Sequence, residues 1–231
     1  MKLVFDIGYN HGEFSIACTS KHRDCKIIAL EANPTLTKEP PVLSNITLIN
    51  KLVSTDSGKQ TPFYVNPAED GISTASMEFL QNSRFTQGNK YIQHQSRWSH
   101  PIHIESTTLT ELIKEYGTPD FIKIDVEGFE KEVINGLSQT VPMLGFEWHE
   151  EDYNSVIDIV NRLSNLGFEK FGIIGYFEGD IPSEITFSDK GDPYMDFPEN
   201  FYDWENLKPV LDKMINPERR VHYGMFYAKN K

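Results

Sequence analysis

Short apolar runs alternate along this chain with stretches whose apolar residues recur at helical spacing. The run that ends at Val126 is apolar on both faces, which is typical of a strand in the interior of a parallel sheet. Gly128 follows it closely. A helical stripe then begins, with apolar residues at Phe129, Val133 and Leu137. The pattern therefore predicts a buried strand that passes directly into a helix.

The same alternation predicts further strands and helices on both sides of this unit. Predicted strands run over Lys2–Gly8, Lys26–Leu30, Ile46–Val53, Thr61–Val65, Ile102–Glu105, Phe121–Val126, Val141–Glu147, Phe168–Phe177 and His222–Ala228. Further predicted helices carry the apolar stripes of Phe14–Cys18, Leu109–Tyr116, Val156–Leu163 and Leu207–Met214. Strands that alternate with helices predict an α/β fold, doubly wound around a mostly parallel sheet.

Two long segments lack this periodicity. Residues 66–101 are rich in polar side chains, and residues 178–206 carry the aromatic residues Tyr194, Phe197, Phe201, Tyr202 and Trp204. Connections of this length are commonly lids or binding loops. Asp70–Ser76 could fold over a ligand, although a plain surface loop fits it as well. We find no repeat and no domain boundary, so we expect a single domain over residues 1–231, either alone or as part of a longer multidomain chain.

The composition limits the classes of binding partner and the cellular compartment that we expect for this protein. With 231 residues, of which 39% are hydrophobic and 24% charged, the chain is long enough for one globular domain with a real core. Its net charge of −12 argues against nucleic acid and against an anionic membrane surface as partners. Cys18 and Cys25 form no framework of pairs, and we find neither a signal peptide nor a long apolar run. We therefore expect a soluble, cytoplasmic protein without a membrane span.

Acidic residues mark the ends of four predicted strands: Asp6, Glu31, Asp125 and Glu147. In parallel sheets the carboxyl ends of the strands meet at one edge, and ligands bind in the crevice outside that edge. Carboxylates also suit solvated turns that open a helix, but random surface acids would not follow the strand ends in this way. The coincidence predicts a ligand site.

The turn after the first strand decides between ligand classes. Its glycines, Gly8 and Gly12, have the spacing G-x-x-x-G rather than the G-x-G-x-x-G of a dinucleotide site. Asp6, just before this turn, would repel a pyrophosphate. A cofactor with a ribose and a charged amino-acid end but no phosphate fits better, and S-adenosylmethionine is such a molecule, with Glu31 placed to accept hydrogen bonds from its ribose. The alternatives are a nicotinamide-dependent oxidoreductase and a non-catalytic glycan-binding domain of the same fold.

Three blocks of the sequence resemble the signature blocks of the FkbM-type methyltransferases. They are Asp6–Ser15, Leu30–Pro34 and Lys123–Glu130, and the resemblance covers roughly residues 2–150. It implies a class I, Rossmann-like fold of seven strands with the last one antiparallel. It also implies S-adenosylmethionine-dependent O-methylation, and we expect the acceptor to be a hydroxyl of a sugar, a glycan or a glycosylated metabolite. Cofactor-binding residues are expected at Asp6, Gly8, Tyr9, Asn10, Gly12, Glu31 and Ser54.

Methyl transfer to a hydroxyl needs a group that activates it. An alcohol is a poor nucleophile, so a base or a metal ion that lowers its pKa is required. The catalytic candidates are Asp125, Glu127, Glu147 and His149. His149 is a candidate base, because histidine most often serves as one, although a single histidine after a strand is commonly structural. Asp125, Glu147 and His149 could instead bind Mg²⁺ or Mn²⁺.

Aromatic residues near the predicted strand ends are candidates for acceptor binding. Trp148 and Tyr176 each lie at such an end, where a ring could stack on the face of a sugar. For any single aromatic residue, a place in the core or its cover is the more common explanation.

Overall fold

The fold is seen in a computed structural model, which describes residues 1–87, 96–176, 186–187, 197–215 and 223–230. The description is limited to the backbone for Tyr176, Thr186, Phe187 and Met214. The sequence predictions for Phe177, Tyr194 and His222, and for the parts of the two long loops between these ranges, lie outside the described residues.

Strands and helices alternate through most of the described chain, as predicted. The strands are β1 (Leu3–Ile7), β2 (Lys26–Glu31), β3 (Ile46–Asn50), β4 (Leu52–Val53), β5 (Gln60–Phe63), β6 (Ile102–Thr107), β7 (Phe121–Ile124), β8 (Met143–His149), β9 (Lys170–Tyr176), β10 (Thr186–Phe187) and β11 (Tyr223–Lys229). The α-helices are α1 (Glu13–Lys21), α2 (Met77–Asn82), α3 (Arg84–Gln87), α4 (Leu109–Tyr116), α5 (Glu130–Asn135), α6 (Tyr153–Leu166) and α7 (Trp204–Met214).

The main sheet has the strand order β10-β9-β11-β8-β7-β1-β2-β3. β11 is antiparallel to both of its neighbours, β8 and β9, whereas the other neighbouring pairs are parallel. The prediction of a mostly parallel sheet with an antiparallel last strand is therefore confirmed, and the short β10 extends its edge. The chain runs from β1 to β2 and β3 on one side and later to β7 and β8 on the other. The sheet thus has its switch point between β1 and β7, where ligands bind in open α/β sheets.

One predicted strand divides into two. The segment Ile46–Val53 breaks at Lys51, so that β3 stays in the main sheet while β4 enters a separate sheet of order β4-β6-β5. The side-chain amide of Asn50 accounts for the break, because it donates to the carbonyl oxygens of Glu31 (2.8 Å) and Ala32 (3.2 Å) at the end of the neighbouring strand. The strand predicted at 102–105 becomes β6, the centre of the small sheet.

Hydrophobic side chains fill both faces of the main sheet. Neighbouring residues of a strand point to opposite faces, and accordingly Phe5 and Ile122 belong to one core cluster while Val4 and Phe121 belong to another. The predicted stripe of α6, from Val156 to Leu163, is buried in the first cluster. Burial on both faces is the arrangement that a parallel sheet covered by helices requires.

Two further predictions concern membrane-spanning segments and the pairing of the cysteines. In the described ranges, no helix combines the length and the apolar character that are needed to cross a membrane. Cys18 and Cys25 are buried, free cysteines. The cytoplasmic location and the single domain over residues 1–231 stay predictions.

Candidate active site

A cavity of about 320 Å³ opens at the carboxyl ends of β1, β2 and β7, next to the switch point of the sheet. Its volume lies in the range of small-molecule sites. The wall contains several residues that the sequence predicts for the site: Gly8, Tyr9, Asn10, Glu31, Asp125 and Glu127. The segment Asp70–Ser76 also reaches this wall, through Gly71, Ser73 and Ala75. Two of the four predicted strand-end acids, Glu31 and Asp125, therefore share one ligand-sized space.

The turn after β1 takes backbone conformations that few residues tolerate. Gly8 has a φ of 83°, and Asn10 lies in the left-handed region at 48°. Space also requires glycine at position 8, since a Cβ there would lie 1.7 Å from the carbonyl oxygen of Asp125. The amides of Gly8 and Tyr9 both donate to the carbonyl oxygen of Leu30 at 3.0 Å. The turn is thereby held between the ends of β2 and β7.

Three of the predicted cofactor residues lie behind the cavity wall: Asp6, Gly12 and Ser54. Asp6 is fully buried and accepts a hydrogen bond from Ser15 of α1 at 2.6 Å. Gly12 precedes α1, where a Cβ would collide with the ring of Tyr9. Ser54 donates its backbone amide to the end of β6. In this arrangement the three residues support those that line the cavity.

Lys123 is a site residue that the sequence analysis missed. Its ammonium donates to the carbonyl oxygen of Gly8 at 2.6 Å and lies 3.3 Å from Asp6 and 3.5 Å from Asp125. Burial opposes the charge, but the two carboxylates outweigh burial and raise the pKa of Lys123. The signal was present in the sequence, because a lysine inside an apolar strand needs buried partners.

Glu31 ends β2 with its side chain on the cavity wall. It is 7% exposed, and its two oxygens accept the backbone amides of Asn10 (2.8 Å) and Asn33 (2.7 Å). Burial raises the pKa of Glu31, and these two hydrogen bonds oppose the rise. Because each carboxylate oxygen has two acceptor positions, both oxygens can still accept hydrogen bonds from a ribose.

Two carboxylates that follow β7 face the same cavity. The Asp125 side chain is 20% exposed, and burial together with the charge of Glu147 raises its pKa to about 8 against the opposing effect of Lys123. Glu127 has a φ of 54°, which is uncommon for a residue other than glycine, and its carbonyl oxygen accepts the Thr74 hydroxyl at 2.7 Å. Burial, followed by the charges of Glu147 and Asp125, raises the pKa of Glu127 well above its ordinary value. Buried negative charge of this density favours the uptake of a proton or a cation.

β8 brings Glu147 and His149 to a neighbouring cavity of about 50 Å³. They are two positions apart on one strand and so point the same way, and His149 Nε2 lies 3.2 Å from Glu147 Oε1. Together with Glu127 they offer three ligand atoms that all lie within 4.8 Å of one another. The sequence analysis placed Asp125 in this set. The structure groups Glu127 there, while Asp125 interacts electrostatically with Glu147.

An apolar wall of the larger cavity was also missed by the sequence analysis. It consists of Leu52, Val53 and Phe63 from the small sheet, beside Glu31. A flat, uncharged ring such as adenine suits such a surface. Nothing local in the sequence indicates this role, because it depends on how the small sheet packs against the main one.

The aromatic residues predicted to contact the acceptor have different surroundings. Trp148 is 3% exposed and belongs to the hydrophobic core. The backbone of Tyr176 lies at the end of β9, where it pairs with Tyr223, and its side chain is outside the described residues. Trp148 also lines the smaller cavity, and the stacking roles predicted for Trp148 and Tyr176 stay predictions.

The sheet order with its antiparallel last strand, the glycine turn after β1 and the acid that ends β2 together define a class I methyltransferase fold. Residues 6–170 match the methyltransferase FkbM domain, and the chain therefore belongs to the FkbM methyltransferase family. The resemblance carried by the three sequence blocks is confirmed. A comparison with curated proteins found no match. Among solved structures, a precorrin-6y C5,15-methyltransferase from Geobacter metallireducens is similar, with 12% sequence identity, a TM-score of 0.43, and coverage of 99% of this chain and 81% of that chain.

Proposed function

We propose that this protein is an S-adenosylmethionine-dependent O-methyltransferase that acts on a hydroxyl of a sugar, a glycan or a glycosylated metabolite. The observation that supports the proposal is the shared cavity, in which Asp125 and Glu127 line the same space as Glu31 and the turn after β1. A methyl donor bound along the turn and Glu31 would have these carboxylates beside its reactive end. Methyl transfer depends largely on such positioning.

Each part of the donor has a counterpart in the wall. Glu31 would bind the ribose, and Leu52 with Phe63 would contact the adenine. The turn at Gly8 would hold the amino-acid end, because Gly8 lines the cavity beside Glu31. The positive sulfonium would lie near Asp125, where negative charge stabilises it.

The acceptor hydroxyl must lose its proton as it attacks the methyl group. Asp125 is the proposed proton acceptor, because it lines the cavity and its carboxylate is partly exposed there. His149 lines the smaller cavity and would act on an acceptor that extends into it. A divalent cation, Mg²⁺ or Mn²⁺, is a second means of activating the hydroxyl, and the group formed by Glu127, Glu147 and His149 supports it.

A sugar acceptor agrees with the polar groups around the cavity. His11, Glu13 and Ser73 contribute to the wall and can exchange hydrogen bonds with several hydroxyls. The resemblance to FkbM-type enzymes supports the same class of acceptor. A cofactor-binding domain that binds glycans without turnover would show the same cavity, so turnover has to be measured.

The proposal is tested by comparing ligands and then acceptors. S-adenosylhomocysteine should raise the melting temperature of the protein, because a ligand at a hundredfold excess over its Kd adds about 2.7 kcal/mol of stability. NAD at the same concentration should not. Labelled S-adenosylmethionine should then transfer its methyl group to a member of a panel of sugars and glycosides. Stabilisation by NAD alone would favour the oxidoreductase, and S-adenosylhomocysteine binding without turnover on any acceptor would favour the glycan-binding domain.

A further inference from the structure

We infer that Glu127, Glu147 and His149 form a binding site for a divalent cation of the Mn²⁺ type. The inference deepens the proposed function, on which it rests only for what the cation would do there. Glu127 lies in the turn that follows β7, whereas Glu147 and His149 both lie on the neighbouring strand β8, so two of the three ligands are fixed by the sheet itself. Sites built on such elements hold their ligands more accurately than sites on loops.

The distances agree with a shared ion. The three ligand atoms lie within 4.8 Å of one another. Two ligands on opposite sides of one ion, each at roughly 2.1–2.3 Å, are separated by roughly 4.2–4.6 Å. The mutual distances of the three ligand atoms are therefore close to those that a shared ion requires. Glu147 and His149 are each 6% exposed, so both are already held in place by their surroundings.

A second observation is an oxygen that lacks a partner. Glu127 Oε2 is inaccessible to solvent and accepts no hydrogen bond from any residue that the structure describes. Leaving a carboxylate oxygen buried without a donor is costly. A cation at this point would satisfy it.

The charge around the site also favours a cation. Asp125 and Glu130 lie close enough to Glu147 to interact with it electrostatically, and Glu130 is 5% exposed. Lys123 and Arg84 offset part of this charge, but Lys123 is paired with Asp6 as well as Asp125, and Arg84 is paired with Glu151. The acids around the site outnumber these two cations, and a doubly charged ion at their centre would offset the negative charge that is left.

The ligand set indicates the kind of ion. Carboxylates alone suit Mg²⁺ and Ca²⁺, whereas an imidazole favours transition metals. Two carboxylates with one imidazole therefore favour Mn²⁺ over Mg²⁺. Glu127 lines the larger cavity, whereas Glu147 and His149 line the smaller one. An ion at this junction would lie beside Asp125 and could polarise an acceptor hydroxyl in the proposed reaction.

The test measures the binding of Mn²⁺, as the only added ligand, by electron paramagnetic resonance. The protein is first freed of metal with a chelator. We expect one ion per chain, and at least about tenfold weaker binding in Glu127→Gln and in His149→Ala. Matched controls are Glu132→Gln on α5 and His103→Ala on β6, which should bind Mn²⁺ like the parent protein. Circular dichroism of each variant verifies that it is folded, and Glu127→Gln keeps the size of the side chain in case His149→Ala does not fold.

The outcomes separate this inference from the proposed function. No Mn²⁺ binding by the parent protein, or unchanged binding in Glu127→Gln, would overturn the site. A loss in Asp125→Asn with none in Glu127→Gln would assign the ion to Asp125 and would also overturn this ligand set. S-adenosylhomocysteine affinity is measured on the same samples by calorimetry. Its absence would remove the proposed function whatever the Mn²⁺ result, and its presence without Mn²⁺ binding would leave that function standing.

Discussion

The ammonium of Lys123 donates a hydrogen bond across 2.6 Å to the carbonyl oxygen of Gly8, and this contact joins the middle of β7 to the turn after β1. The same ammonium lies between Asp6 and Asp125, at 3.3 and 3.5 Å. One buried cation thus holds the turn and both acids at the switch point of the sheet. The shape of the cavity wall depends on it.

Replacing Lys123 by methionine should destabilise the protein. The substitution leaves Asp6 buried without its counter-charge, and breaking a buried pair in this way costs about 3–5 kcal/mol. Urea denaturation measures the loss. The double variant Asp6→Asn with Lys123→Met should recover part of it, because no buried charge is then left alone. A double variant whose loss equals the sum of the two single losses would show that the pair is not coupled.

Gly8→Ala should be far more damaging than a comparable change elsewhere. A Cβ at position 8 would lie 1.7 Å from the carbonyl oxygen of Asp125, so the turn would have to move, and we expect a loss above about 4 kcal/mol. Gly58→Ala is the matched control, because Gly58 also has a positive φ (71°) but has open space around it. Its cost should be only about 1–2 kcal/mol, from the left-handed conformation. Equal losses in urea denaturation would mean that close packing at Gly8 is not the cause.

Glu31→Ala should weaken the binding of S-adenosylhomocysteine. Hydrogen bonds to a charged group contribute about 1.5–3 kcal/mol, so the affinity should fall by at least about tenfold. Calorimetry measures the change, and Glu105→Ala on the exposed face of β6 serves as the control. Because Glu31 also accepts the amide of Asn10, the melting temperature of the unliganded variant is measured as well. An affinity that stays the same would remove Glu31 from the site.

Asp125→Asn should lower kcat while the affinity for S-adenosylhomocysteine changes little. The amide cannot accept the proton of the acceptor hydroxyl, and the loss of such help typically costs about 10²–10⁴-fold in rate. Asp158→Asn serves as the control, because it makes the same substitution at an exposed position of α6. Full activity in Asp125→Asn would exclude it as the proton acceptor and transfer that role to the residues of β8.

The sequence by itself determined the sheet and the position of its first acids. Apolar runs and helical stripes are local signals, and the alternation of strands with helices leads to a parallel sheet whose carboxyl ends share one edge. Glu31 and Asp125 follow from that rule, and the structure finds both in one cavity wall. The glycine turn could also be predicted from the sequence, because the chain must change direction directly after β1.

Only the tertiary structure decided which side chains act together. The group of Glu127 with Glu147 and His149 depends on the left-handed backbone of Glu127 and on the extension of β8 as far as His149. Two partners of Lys123, Asp6 and Gly8, lie more than a hundred positions away in the sequence. The small sheet that carries Leu52 and Phe63 forms because the chain leaves the main sheet at Lys51. Such contacts join distant segments, and their geometry is set by the direction of each side chain and by packing between sheets, neither of which a local pattern of residues contains.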